Sequence, residues 1–88
     1  MLEEKLNDII IETENQITLV KIRLKSTKKE LKEIDKKIRD NKYINLEFVR
    51  NDKIRLNEEL SRLDTRIYKL NKILYRLKVC EKILNNEY

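Results

Sequence analysis

Asp40-Asn41-Lys42-Tyr43-Ile44-Asn45 is where the chain loses its rhythm. Before it, one heptad frame runs through Leu6, Ile10, Thr13, Ile17, Val20, Leu24, Thr27, Leu31, Ile34 and Ile38. After it, a second frame runs through Val49, Lys53, Leu56, Leu60, Leu63, Ile67, Leu70, Leu74, Leu77, Glu81, Leu84 and Tyr88. Both alternate steps of four and three, the spacing of a coiled-coil seam. The frames differ in phase by one residue, so a turn or a skip separates them. Asn41 suits the left-handed residue that ends a helix in a chain without glycine. Asn45 suits the cap of the next helix, with Glu47 in its first turn.

A single continuous helix with one skipped residue would explain the slip equally well. Folding the chain back about residues 43 and 44 explains more. Seam residues then meet in layers whose numbers total 87: Leu31 with Leu56, Leu24 with Leu63, Val20 with Ile67, Ile17 with Leu70. The arms are nearly equal, and the pivot falls on the asparagine-flanked stretch. Charge points the same way. Residues 1–20 carry −4 and residues 65–88 carry +4, and the hairpin makes them neighbours. It would also bring Asp35 near Arg50, Lys21 near Asp64 and Lys37 near Asp52. Thr27-Lys28-Lys29-Glu30 fits a capping box and offers a competing break. The seam nevertheless passes through Thr27 in phase, and a mid-helix threonine is tolerated when its hydroxyl bonds back to a carbonyl. The expected fold is all-α: one antiparallel two-helix coiled-coil hairpin spanning 1–88. Its helices are expected near 2–40 and 46–86, with a turn at 41–45. A dimer of such hairpins would be a four-helix bundle.

Composition supports long helices. Thirteen leucines and twelve isoleucines stand among 42% charged residues, and glycine and proline are absent. This is the profile of a coiled coil rather than of a disordered polyampholyte. It also excludes chemistry. Without glycine there is no glycine-rich phosphate loop. Without histidine, and with Cys80 alone, there is neither a usual zinc set nor a nucleophile–histidine pair. The carboxylates are scattered over solvent faces. No catalytic residue, metal site or cofactor is expected, and the chain reads as a non-enzyme. No apolar run reaches membrane-spanning length. The start, Met1-Leu2-Glu3-Glu4, lacks the basic and apolar regions of a secretory signal. With one cysteine, the cytoplasm is the expected compartment.

Function is therefore sought on the surface. Two helices share only one seam, yet apolar residues remain off it. On the first arm these are Ile9, Ile11, Leu19 and Ile22. On the second they are Tyr68, Ile73, Tyr75, Val79, Cys80 and Ile83. Ile9, Tyr68, Ile73, Tyr75, Val79 and Ile83 are the candidates for a protein interface, either with a second copy or with a larger partner. Cys80 is expected to pack as a small apolar side chain. Lys25, Lys29, Lys32, Lys36 and Arg39 form an outward basic ridge along roughly 21 Å of helix, the candidate contact for a nucleic-acid backbone. No aromatic residue is interleaved in that ridge. The leading expectation is a protein-interaction or assembly module, such as an adaptor, assembly component or small inhibitor, acting as a homo-oligomer. The alternative is a basic nucleic-acid-binding hairpin.

Overall fold

The computed structural model describes residues 2–40 and 46–87. They form two helices, α1 (Leu2–Asp40, 39 residues) and α2 (Leu46–Glu87, 42 residues), packed against each other. The expected turn at 41–45, with its caps Asn41 and Asn45, lies outside the described residues. Helix formation follows from the absence of glycine and proline and from abundant Leu, Lys, Glu and Arg. Terminal charges complement the helix dipoles: Glu3 and Glu4 in the first turn of α1, Lys37 and Arg39 in its last, and Glu47 in the first turn of α2. The molecule is a rod with extents of 67 × 16 × 14 Å. That excludes a continuous helix, because 88 residues at ~1.5 Å each would reach about 130 Å.

The core is the seam. Ile17, Val20, Leu63 and Leu70 form a buried cluster, with Leu24, Ile67 and Leu74 packed against it. These residues include the three central layers expected from the folded-back register. Ile10 and Leu56 extend the burial towards the open and turn ends, and Leu56 is 2% exposed. Every described seam residue is buried or half-buried.

Two seam residues of α1 are polar, and the helix accommodates both. The Thr13 hydroxyl donates to the Ile9 carbonyl at 2.8 Å, and the Thr27 hydroxyl donates to that of Arg23 at 2.9 Å. Each hydroxyl is thus satisfied within its own helix while its methyl group joins the seam. Thr27 therefore does not cap a new helix, and α1 runs through it unbroken.

Lys53 is the charged seam residue near the turn end. Its stem is half-buried, and its Nζ lies 2.8 Å from Asp35 Oδ1. The long stem covers apolar surface while the ammonium reaches sideways to α1. This replaces the expected Asp35–Arg50 pair. Asp52 turns to Arg55 of its own helix at 3.4 Å rather than to Lys37. No ion pair joins Lys21 to Asp64 among the described residues.

Replacing Leu63 with alanine should destabilise the hairpin by about 2–5 kcal/mol, the usual cost of emptying a buried leucine position. Thr27→Val should change stability by less than about 1 kcal/mol, because an added methyl offsets a hydroxyl bond worth about as much. Urea titrations followed by circular dichroism would check both. Equal effects would mean that the seam is not the core.

Candidate interaction site

Three surfaces flank the seam. The first lies on the side occupied by residues just before Ile10, Ile17 and Leu24 of α1 and before Leu60, Ile67 and Leu74 of α2. Arg23 and Glu59 meet here, with Nε donating to Oε1 at 2.7 Å. Their numbers total 82, which gives the register of this flank. One heptad towards the open end, the same register sets Gln16 against Arg66. One heptad further it sets Ile9 against Ile73, and these two are 48% and 46% exposed. Leu19 and Ile83 stand exposed alongside. Gln16, Leu19, Arg23 and Arg66 line a common recess of about 350 Å³ floored by Val20 and Leu63.

Towards the turn, this flank becomes cationic. An open trough of about 760 Å³ is lined by Arg23, Arg55, Glu59, Arg62, Arg66 and Lys69, among others. Glu59 is the trough's one carboxylate, and Arg23 engages it. Cys80, expected to be packed, is exposed. Its position precedes the seam residue Glu81, on a flank that neither helix covers.

The second surface is the outward face of α2 in the open half. Tyr68 and Tyr75 follow the seam residues Ile67 and Leu74 by one position, so they point away from the first flank. They are 59% and 70% exposed. Lys72 lies between them, its Nζ 4.8 Å from the centre of the Tyr68 ring. Val79 is on the same outward face. The six apolar residues read as one interface are all exposed, but the register divides them. Ile9 and Ile73 lie on the first flank, with Ile83 at its outer edge. Tyr68, Tyr75 and Val79 face outward on α2.

The third surface is the ridge of α1. Lys25, Lys29, Lys32, Lys36 and Arg39 are all exposed. Among the described residues, none of them joins an ion pair.

The cationic trough is legible only in part from sequence, because it needs both helices. Its signal on α2 was the seven-residue recurrence Arg55, Arg62, Lys69, Arg76. Among the described residues no group of three His, Cys, Asp or Glu side chains is placed to hold a metal ion, and no helix is long and apolar enough to cross a membrane. Comparison with protein-family models, curated proteins and solved structures finds no match.

The Arg23–Glu59 bond sets register more than stability, since Arg23 is mostly solvated. A double-mutant cycle with Arg23→Gln and Glu59→Gln should give a coupling below about 1 kcal/mol that shrinks as salt is added. A larger, salt-insensitive coupling would show that the pair is buried in solution by another chain.

Proposed function

We propose that this chain is a non-enzymatic assembly module whose hairpins join one another along the apolar, open-end stretch of the first flank, beyond the Arg23–Glu59 pair. The observation that carries this reading is the Ile9–Ile73 pair. Two isoleucines stand opposite each other where a coiled coil normally places charged or long polar residues. Leu19 and Ile83 widen the apolar strip. Covering the remaining half of such a side chain contributes about 1 kcal/mol, so four on each of two copies contribute on the order of 8 kcal/mol. Association itself costs about 4–15 kcal/mol. The dimer is accordingly a concentration-dependent one, able to exchange its second copy for another protein's helices. That suits an adaptor, an assembly component or a small inhibitor.

Sedimentation across a dilution series tests this. The wild type should pass from dimer to monomer as it is diluted through the millimolar range, since about 8 kcal/mol less the smallest association cost leaves about 4. Ile9→Glu with Ile73→Glu should be monomeric throughout and keep its helical circular dichroism, because both positions lie off the seam. A wild type that stays monomeric at the highest concentrations would remove self-association.

A second reading, a nucleic-acid-binding hairpin, is favoured by one observation. The five ridge cations of α1 share an exposed face without ion-pair partners among the described residues. Such a ridge would hold duplex phosphates without regard to sequence, with about one unit of log–log salt slope per cation. Lys29, Lys32 and Lys36 replaced by glutamine should preserve helicity, since glutamine is as good a helix former. The triple variant should lose about three units of slope on a mixed-sequence duplex if the ridge is the contact. An unchanged slope assigns the ridge to solvent.

A further inference from the structure

The outward face of α2 combines features that neither reading above uses. From Thr65 to Cys80 the chain contains Arg66, Lys69, Lys72, Arg76 and Lys78 and no carboxylate. Tyr68 and Tyr75 recur one heptad apart on that segment, about 10.5 Å along the axis. Between them lies a recess of about 410 Å³ lined by Tyr68, Asn71, Lys72, Tyr75 and Arg76. It thus offers two largely solvated aromatic rings, two cations and a side-chain amide. The cationic trough of the neighbouring flank continues the positive surface through Arg62, Arg66 and Lys69. Of the acids of α1 in this half, Asp8 and Glu12 occupy positions turned away from α2, whereas Glu14, one residue after the seam residue Thr13, lies on the flank that faces Asn71.

We infer that this face binds single-stranded nucleic acid, with bases against Tyr68 and Tyr75 and phosphates along Lys69, Lys72 and Arg76. The positive segment calls for a polyanion. The paired rings select among polyanions, because a base offers a flat face that a carboxylate chain lacks, and base–aromatic stacking tolerates any sequence. They also separate strand from duplex, whose bases are already stacked on one another. Lys72, held over the Tyr68 ring, puts a charge where the backbone of a stacked nucleotide would run. Asn71 can both donate to and accept from a base edge. The site is on the other helix from the α1 ridge and in the other half of the hairpin. It is also separate from the Ile9–Ile73 pair.

Fluorescence anisotropy with a short labelled oligothymidylate tests the inference, alongside a duplex of equal length and vesicles of mixed phosphatidylserine and phosphatidylcholine. The wild type should bind the strand more tightly than the duplex. Tyr68→Leu with Tyr75→Leu should weaken strand binding at least roughly tenfold, the loss of one or two stacked bases, while leaving the salt slope in place. Changing Lys69, Lys72 and Arg76 to glutamine should lower that slope by about two units, at ~0.7 per phosphate on a single strand. Ile9→Gln with Ile73→Gln, which adds no charge beside Lys69 and Arg76, should bind as the wild type does, which separates this site from the assembly surface. The inference is overturned if the strand is not bound at low salt. It is equally overturned if the tyrosine variant binds as well as the wild type, or if vesicles but not the strand are bound. Circular dichroism of each variant confirms that helicity is retained.

Discussion

A seam takes only two residues in every seven, and this chain has two helices to share one. That geometric limit governs the molecule. Among the described residues the buried apolar set is a line of layers from Ile10 through Ile17, Val20, Leu63 and Leu70 to Leu56, with no second layer behind it. Each helix therefore keeps most of its circumference in water, and any apolar residue off the seam stays exposed. Ile9, Leu19, Ile22, Ile54, Ile73 and Ile83 are exposed for this reason, not through poor packing. The same limit leaves little stability in reserve, since small single-core chains are marginal alone. A second copy laid along an apolar flank would supply the layer that the hairpin lacks.

Register comes from the seam and is tuned by what lies beside it. Thr13 and Thr27 place polar side chains in the seam at no cost in unsatisfied groups, because their hydroxyls turn back to carbonyls one turn earlier. They also weaken the apolar drive in their layers relative to leucine. Near the turn, Lys53 reaches from the seam to Asp35. On the opposite flank Arg23 meets Glu59. Each exposed pair is a small energy, but both join α1 to α2. A slip of one heptad would break both pairs and also offset every leucine layer.

The helices and their layers were legible in the sequence because leucine and isoleucine at steps of four and three mark one face for burial, and folding back about residues 43 and 44 matches the two faces layer by layer. The threonines were legible for the same reason: their phase kept them in the seam, and local back-bonding is the known means of keeping them there. The ion pairs were less legible. Lysine and arginine have stems long enough to reach several carboxylates, so Asp35 chose Lys53 over Arg50, and Asp52 chose Arg55 on its own helix. Cys80 was misjudged because a burial preference of the residue type was applied to a flank that no element covers. The interface candidates were correctly placed off the seam. Which side of α2 each faced depended on counting from the seam rather than on hydrophobicity. Tyr68 and Tyr75, grouped with isoleucines as apolar, keep different company once that count is made.

The resulting division of surfaces follows from charge as much as from shape. Residues 21–42 carry +6 and residues 65–88 carry +4, whereas the intervening 43–64 carry −1 and the first twenty carry −4. In the hairpin the two positive blocks lie on different helices and in opposite halves, so their repulsion is spread along a 67 Å rod rather than concentrated. Each block adjoins a negative or neutral one across the seam, which favours the antiparallel fold. The blocks meet only near the middle of the rod, where Arg23 and Arg66 line a common recess. The proposed contact between copies lies at the open end, whereas the α1 ridge lies towards the turn. On the proposed reading, the assembly surface and the polyanion surface would occupy different sides of α2, with Ile73 one residue before a seam position and Tyr68 and Tyr75 one residue after one.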